Sequence, residues 1–105
     1  LANYFSNYGY KVDFDSLSDI DVSNELIKIK GIGQWTIDMF LMFTLKREDI
    51  LPVTDLGIQK GIQILYEMKN LPSKNYIIRK ANKWKPYRTI ACWYLWRIVD
   101  EENFW

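Results

Sequence analysis

Apolar positions recur along this chain at helical spacing, and the breaks between them hold residues that start and stop helices. "LANYFSNYG" reads as the end of a helix closed by Gly9 in the C-cap role. "DFDSLSDI" offers Asp15 or Ser16 as the cap of a short helical turn. Asp21 or Ser23 then opens a helix through Glu25, Leu26, Ile27 and Ile29, which Gly31 stops. From Gln34 to Leu45 the run "QWTIDMFLMFTL" is apolar almost all round, which predicts a helix buried on most faces. "KREDILPVT" is a polar turn leading into an extended stretch, because Pro52 biases Leu51 away from helix.

"DLGIQKGIQILYEM" predicts a helix starting near Thr54 or Asp55 and burying Ile58, Ile62 and Leu65. After "NLPS" another covers about 74 to 82, and the last begins with Pro86 in its first turn and runs through "YRTIACWYLWRIV". No alternating run is long enough for a sheet, and there is no internal repeat or linker. The pattern predicts one all-α domain over residues 1–105.

Composition narrows the chemistry. With 16% aromatic residues and nearly half the chain apolar, a packed core is feasible. The one cysteine, Cys92, excludes a disulfide framework or a cysteine-rich metal or iron–sulfur site. There is no histidine, so acid–base work falls to carboxylates. No apolar run reaches the roughly 18–20 residues that cross a bilayer, and the start lacks a signal peptide's pattern. The expectation is an intracellular, soluble protein with no membrane partner. The chain also opens as if in mid-helix, without Met, so it is expected to be a piece of a longer domain.

The net charge of +1 hides an asymmetry: eight basic residues and no acid lie between Lys69 and Val99, while the rest of the chain carries a net of −7. A basic segment interleaved with Tyr and Trp suits nucleic acid; a solvated helix face is the plainer explanation.

"KIKGIGQWTI" is a Gly-x-Gly turn between two helices. Its glycines permit positive φ and close backbone approach, and a helix starting after Gly33 turns its free N–H groups and positive dipole end outward. Lys28 and Lys30 stand near enough to add charge. Simple helix termination explains such a turn equally well. The longer stretch "LIKIKGIGQWTIDMF", however, resembles the helix-hairpin-helix of the DNA glycosylase superfamily, L-x-x-[L/I]-x-G-[I/V]-G-x-x-T-A. "LPVTDLGIQKG" resembles the aspartate that follows at the head of a helix about twenty residues later. "KWKPYRTIACWYLW" resembles the W-[R/K]-P-[Y/W]-R-S-x-A block of one branch, the DNA-3-methyladenine glycosylase II family. The resemblance covers almost the whole chain: the hairpin at 26–37, the aspartate loop and helix at 51–68 and the last motif with its helix at 84–99.

The resemblance implies a helix-hairpin-helix glycosylase-like helical bundle, cut short, since family members carry several helices before this point. It implies excision of alkylated purines such as 3-methyladenine from double-stranded DNA with the damaged base flipped out, by a monomer working in the nucleus of a eukaryote or the cytoplasm or nucleoid of a prokaryote. Asp55 takes the place of the catalytic aspartate. From its own residue type it is most often only a helix N-cap; the other reading is a carboxylate able to stabilise the positive charge that builds on the sugar. Trp35, Met39 and Trp84 would wall the base pocket, where an aromatic face attracts a cationic purine; both tryptophans are otherwise core. Met39 stands where some members have an aromatic, and Ile37 where a small alanine is usual. Bifunctional relatives place a lysine nucleophile at the position of Trp35, so a monofunctional enzyme without a lyase step is expected.

Lys30, Gly31, Gly33 and Gln34 would contact DNA phosphate, and Arg88 either phosphate or a carboxylate of the fold. No cofactor is expected beyond a sodium or potassium ion that the resemblance puts on the carbonyls of Ile27, Ile29 and Ile32. Two rivals stand beside the enzyme: a helix-hairpin-helix module that binds DNA without catalysis, and a helical protein-interaction domain.

Overall fold

Among the described residues, three of the five helices start where a short polar side chain satisfies first-turn N–H groups that have no helical partner. Ser18 Oγ accepts from the N–H of Asp21 at 3.2 Å, opening α1 (Asp19–Leu26). Asp55 Oδ2 accepts from Ile58 N–H at 3.0 Å, opening α3 (Leu56–Leu65). Ser73 Oγ accepts from Tyr76 N–H at 3.1 Å, opening α4 (Lys74–Ala81). Each cap contributes about 1 kcal/mol. Between α1 and α3 lies α2 (Gln34–Met39), which runs on into a π-helical turn, Phe40–Thr44. The last helix is α5 (Arg88–Glu101), and short 3₁₀ turns occupy Phe14–Ser16 and Asn82–Trp84. The computed structural model describes residues 13–102, and among them there is no strand. The helix end expected at Gly9 lies outside the described residues.

The core is shared by all five helices: Val22 and Leu26, Ile37, Ile58 and Ile62, Ile77, and Cys92 and Leu95 are all buried. The π-helical turn adds Leu41 and Met42, and the loop before α3 adds Ile50. Several elements differ from expectation. Helix α1 starts earlier than Asp21, because Ser18 supplies the cap, and ends at Leu26 rather than Ile29. Leu65 is exposed although it continues the stripe of Ile58 and Ile62, since it is the last residue of α3. Pro86 is not in the first turn of α5. Tyr87 N–H instead bonds Trp84 O at 2.8 Å, which closes a turn ahead of the helix. The apolar run after Gln34 is not buried all round either: Trp35 and Phe43 stay half exposed.

Two contacts fix α5. Its first turn is fastened to the loop between α2 and α3, where the buried Thr89 donates its hydroxyl to Arg47 O at 2.7 Å and accepts Ile50 N–H at 2.9 Å. Thr89 N–H adds a bond to Glu48 O at 2.9 Å. Farther along, α5 lies directly on α3 at Gly61, where a Cβ would stand 2.8 Å from Leu95 Cβ and 3.0 Å from Leu95 O. Neither neighbour is the free end of a flexible chain, so only glycine permits this approach.

Gly61→Ala should therefore lower stability by about 1–3 kcal/mol through overpacking, despite alanine's better helix propensity. Thermal unfolding checks this; an unchanged or raised melting temperature would contradict the close approach of the two helices.

Candidate active site

Asp55 sits between α2, α3 and α5, and each of the three holds its carboxylate. Oδ1 accepts the indole N–H of Trp35, in the first turn of α2, at 2.7 Å. Oδ2 accepts the indole N–H of Trp96, on α5, at 2.7 Å, together with the Ile58 N–H of its own helix. The cap function and the site function therefore coincide in one side chain. All three donors are neutral, and among the described residues no cation is paired with Asp55. The charge is oriented without being cancelled.

Aromatic surface surrounds the carboxylate. Trp35 is half exposed although its indole N–H is bound, so it is not a core residue. Met39 follows one turn later, partly buried against the core, and Phe43 one turn after that. The Phe43 ring stacks on Trp96 with centroids 6.0 Å apart and planes 20° from parallel. Trp84 is not one of the two indoles bound to Asp55. It lies in the 3₁₀ turn before α5, against the core and beneath Lys83, and the second indole on Asp55 is that of Trp96, twelve residues on. The sequence pattern singles out neither Trp96 nor Phe43. The one signal for Phe43 is its place two turns beyond Trp35 on one helix face.

The hairpin follows α1 closely. Ile29 N–H bonds Leu26 O at 3.0 Å and Ile32 N–H bonds Ile29 O at 3.2 Å, turning the chain at Gly31, whose φ is +89°. Only Gly31 needs glycine's left-handed freedom. Gly33 has φ −104° and ψ 178°, which any residue adopts; what it contributes is an uncluttered helix start, since no side chain caps α2 and a Cβ there would meet nothing within 4 Å. Lys30 is exposed beside the turn, while Lys28 pairs with Glu25 at 3.2 Å.

Arg88 takes a carboxylate partner within the fold. Its Nε reaches Asp49 Oδ1 at 2.7 Å and its Nη2 reaches Asp49 Oδ2 at 3.0 Å, a bidentate pair that holds the start of α5. The Arg88 side chain keeps Asp49 below the usual carboxylate range. With Nε and Nη2 both engaged on Asp49, Arg88 is fastened to the fold.

Gln34 Nε2 donates to Asp38 Oδ1 at 2.9 Å, one turn along α2. Asp38 is buried, and burial pushes its pKa up to about 6 against the opposing pull of Gln34's hydrogen bond. It lines a cleft of about 700 Å³ together with Asp19, Asp49, Arg88 and Ile78, which does not include Asp55. Two of its three acids are paired, Asp19 with Arg47 and Asp49 with Arg88. The buried thiol of Cys92 is pushed up to about 12, chiefly by burial and then by the charge of Asp55, so it is no nucleophile.

Because Asp38 protonates more readily folded than unfolded, stability should fall as pH rises from about 4 through about 6. Asp49, shifted the other way, contributes stability that is lost only as the pH falls below the ordinary carboxylate value of 3.8. Asp38→Asn, which keeps an acceptor for Gln34, should abolish the slope between pH 4 and 6 and raise the melting temperature above pH 7. Equal pH profiles for the two proteins would contradict this.

No protein-family profile matches the chain. DNA-3-methyladenine glycosylase 1 of Schizosaccharomyces pombe is 39% identical over 87 residues, covering 83% of this chain and 38% of the relative. A putative DNA-3-methyladenine glycosylase of Bacillus subtilis is 37% identical over 84 residues, 80% of this chain and 29% of its own length. Among solved structures, the S. pombe 3-methyladenine DNA glycosylase in complex with abasic DNA superposes with a TM-score of 0.81 at 38% identity, over 84% of this chain and 43% of that one. A DNA-3-methyladenine glycosidase from Bacillus halodurans gives 0.79 at 38% identity, over 90% and 44%. The chain thus spans less than half the length of these relatives.

Proposed function

We propose that this chain, which belongs to the DNA-3-methyladenine glycosylase family over the stretch it shares with those relatives, serves to hydrolyse the N-glycosidic bond of alkylated purines such as 3-methyladenine in double-stranded DNA. The observation that carries the proposal is the Asp55 carboxylate, aimed by two indoles and a helix N–H and left with its charge uncompensated. When the glycosidic bond breaks, its electron pair leaves with the base and cancels the positive charge that alkylation put there. The sugar is left cationic at C1′, and an anion fixed nearby lowers the energy of that state. A water adds at C1′ and gives up a proton, and Asp55 can direct it. A cationic base is a good leaving group, so no histidine is required.

The exposed face of Trp35, with Met39 and the Phe43–Trp96 stack, would receive the flipped base, an aromatic face attracting its charge by roughly 0.5–2 kcal/mol. Trp35 offers no amine for a Schiff base, so the reading is hydrolysis without a lyase step. The start of α2, with Lys30, Gly31, Gly33 and the Gln34 N–H, would take a DNA phosphate. The carbonyls of Ile27, Ile29 and Ile32 suit a sodium or potassium ion; Ile29's accepts one N–H and keeps a second lone pair. No other cofactor is needed for this chemistry. In this reading the protein acts on DNA inside the cell, as a monomer on one lesion. Among the described residues no helix is long and apolar enough to cross a membrane.

Asp55→Asn tests the reading: asparagine caps a helix about as well as aspartate, while it removes the charge and one of the two oxygens that accept the indoles. Release of 3-methyladenine from methylated duplex DNA should fall by ~100-fold or more, the scale of losing one aimed electrostatic group, while DNA affinity is kept. Trp96→Phe, which keeps a ring but removes the N–H, should fall by a smaller factor. A parent protein that binds DNA but releases no base would instead favour the non-catalytic binding module.

A further inference from the structure

The basic segment divides in two once its partners are known. Arg88 pairs with Asp49 and Arg97 with Glu101. The other six cations fall between Lys69 and Lys85, and among the described residues none of them is in an ion pair. Three of the six converge on two tyrosines at the far end of α3 from Asp55. Tyr66 follows the last turn of α3, Tyr76 stands in the first turn of α4, and their rings meet edge to face at 6.2 Å. Lys80 Nζ lies 5.0 Å from the Tyr66 centroid and 5.4 Å from that of Tyr76. Lys83 Nζ lies 5.3 Å from Tyr66 and 6.0 Å from Trp84, and the Arg79 guanidinium lies 5.7 Å from Tyr76.

Three like charges around two rings repel one another, and attraction to the ring faces, about 0.5–1 kcal/mol each at exposed sites, offsets part of that. The rings hold the cations in place and are in turn covered by them. What remains outward is charge and N–H donors, which suit the oxygens of phosphate. The ten residues of α3, at ~1.5 Å each, set the cluster ~15 Å from Asp55, too far to touch a nucleotide being cleaved.

We propose that Arg79, Lys80 and Lys83, held on Tyr66 and Tyr76, form a second anchor on the phosphate backbone of duplex DNA, outside the base pocket. The identity of the polyanion rests on the glycosylase reading. At ~3.4 Å of rise per base pair the anchor falls about four to five pairs from the lesion. It carries no sequence or damage information, and it strengthens binding to intact and damaged duplex alike.

The test is fluorescence anisotropy of an undamaged labelled duplex across a salt series, with the full chain. Changing Arg79, Lys80 and Lys83 together to Gln should reduce the slope of log affinity against log salt by about two to three, at ~0.9 for each phosphate no longer neutralised. The single exposed change Arg79→Gln should reduce it by about one. The charge-keeping set Arg79→Lys, Lys80→Arg and Lys83→Arg should retain the parent slope. A folded neutral variant with the parent slope would overturn the proposal, as would an equal reduction in the charge-keeping set. In either case the parent's salt-dependent binding leaves the glycosylase reading standing; a parent that does not bind duplex at all removes both.

Discussion

Three helices meet on one carboxylate. Asp55 closes the first turn of α3, takes the Trp35 indole from the start of α2 and takes the Trp96 indole from α5. Its neighbours answer a problem that the proposed chemistry sets: an anion beside a developing cation must be aimed, yet pairing it with lysine or arginine would cancel its charge. Neutral N–H donors orient it and leave the field intact. The same arrangement explains why the site has both aromatic walls and a negative centre. The tryptophans that form the surface are the groups that hold the carboxylate.

The rest of the fold makes that meeting possible. Trp96 reaches Asp55 only because α5 lies close against α3, and Gly61 against Leu95, the residue before Trp96, permits the approach. The rotation of α5 is set at its other end by Arg88 on Asp49 and by Thr89 between Arg47 and Ile50. The "PYRT" part of the last motif thus acts away from Asp55. It anchors the helix that carries Trp96.

Much of this is legible in the sequence, for reasons that are local. The aspartate cap, the turn at Gly31, the apolar stripe of Ile58 and Ile62 and the helix after Ser73 all follow from short-range periodicity and end chemistry. What cannot be read there depends on partners far apart along the chain. Trp96 is forty-one residues from Asp55, and Arg88 is thirty-nine from Asp49, so these pairs exist only once the helices are packed. The same holds for the run after Gln34. Its composition calls for burial all round, whereas Trp35 and Phe43 remain half exposed on the face that meets Asp55 and Trp96. An apolar side chain left open beside an aimed carboxylate departs from the burial rule where the candidate site lies.

Everything at the site turns on both indoles being bound to Asp55, and ¹⁵N–¹H spectra of the tryptophan side chains would show whether they are. Two of the five indole signals, assigned to Trp35 and Trp96 by single replacement, should exchange slowly with solvent and shift together in Asp55→Asn, while the others stay in place. If neither signal responds to Asp55, the indoles do not hold the carboxylate, and the site described here does not exist in solution.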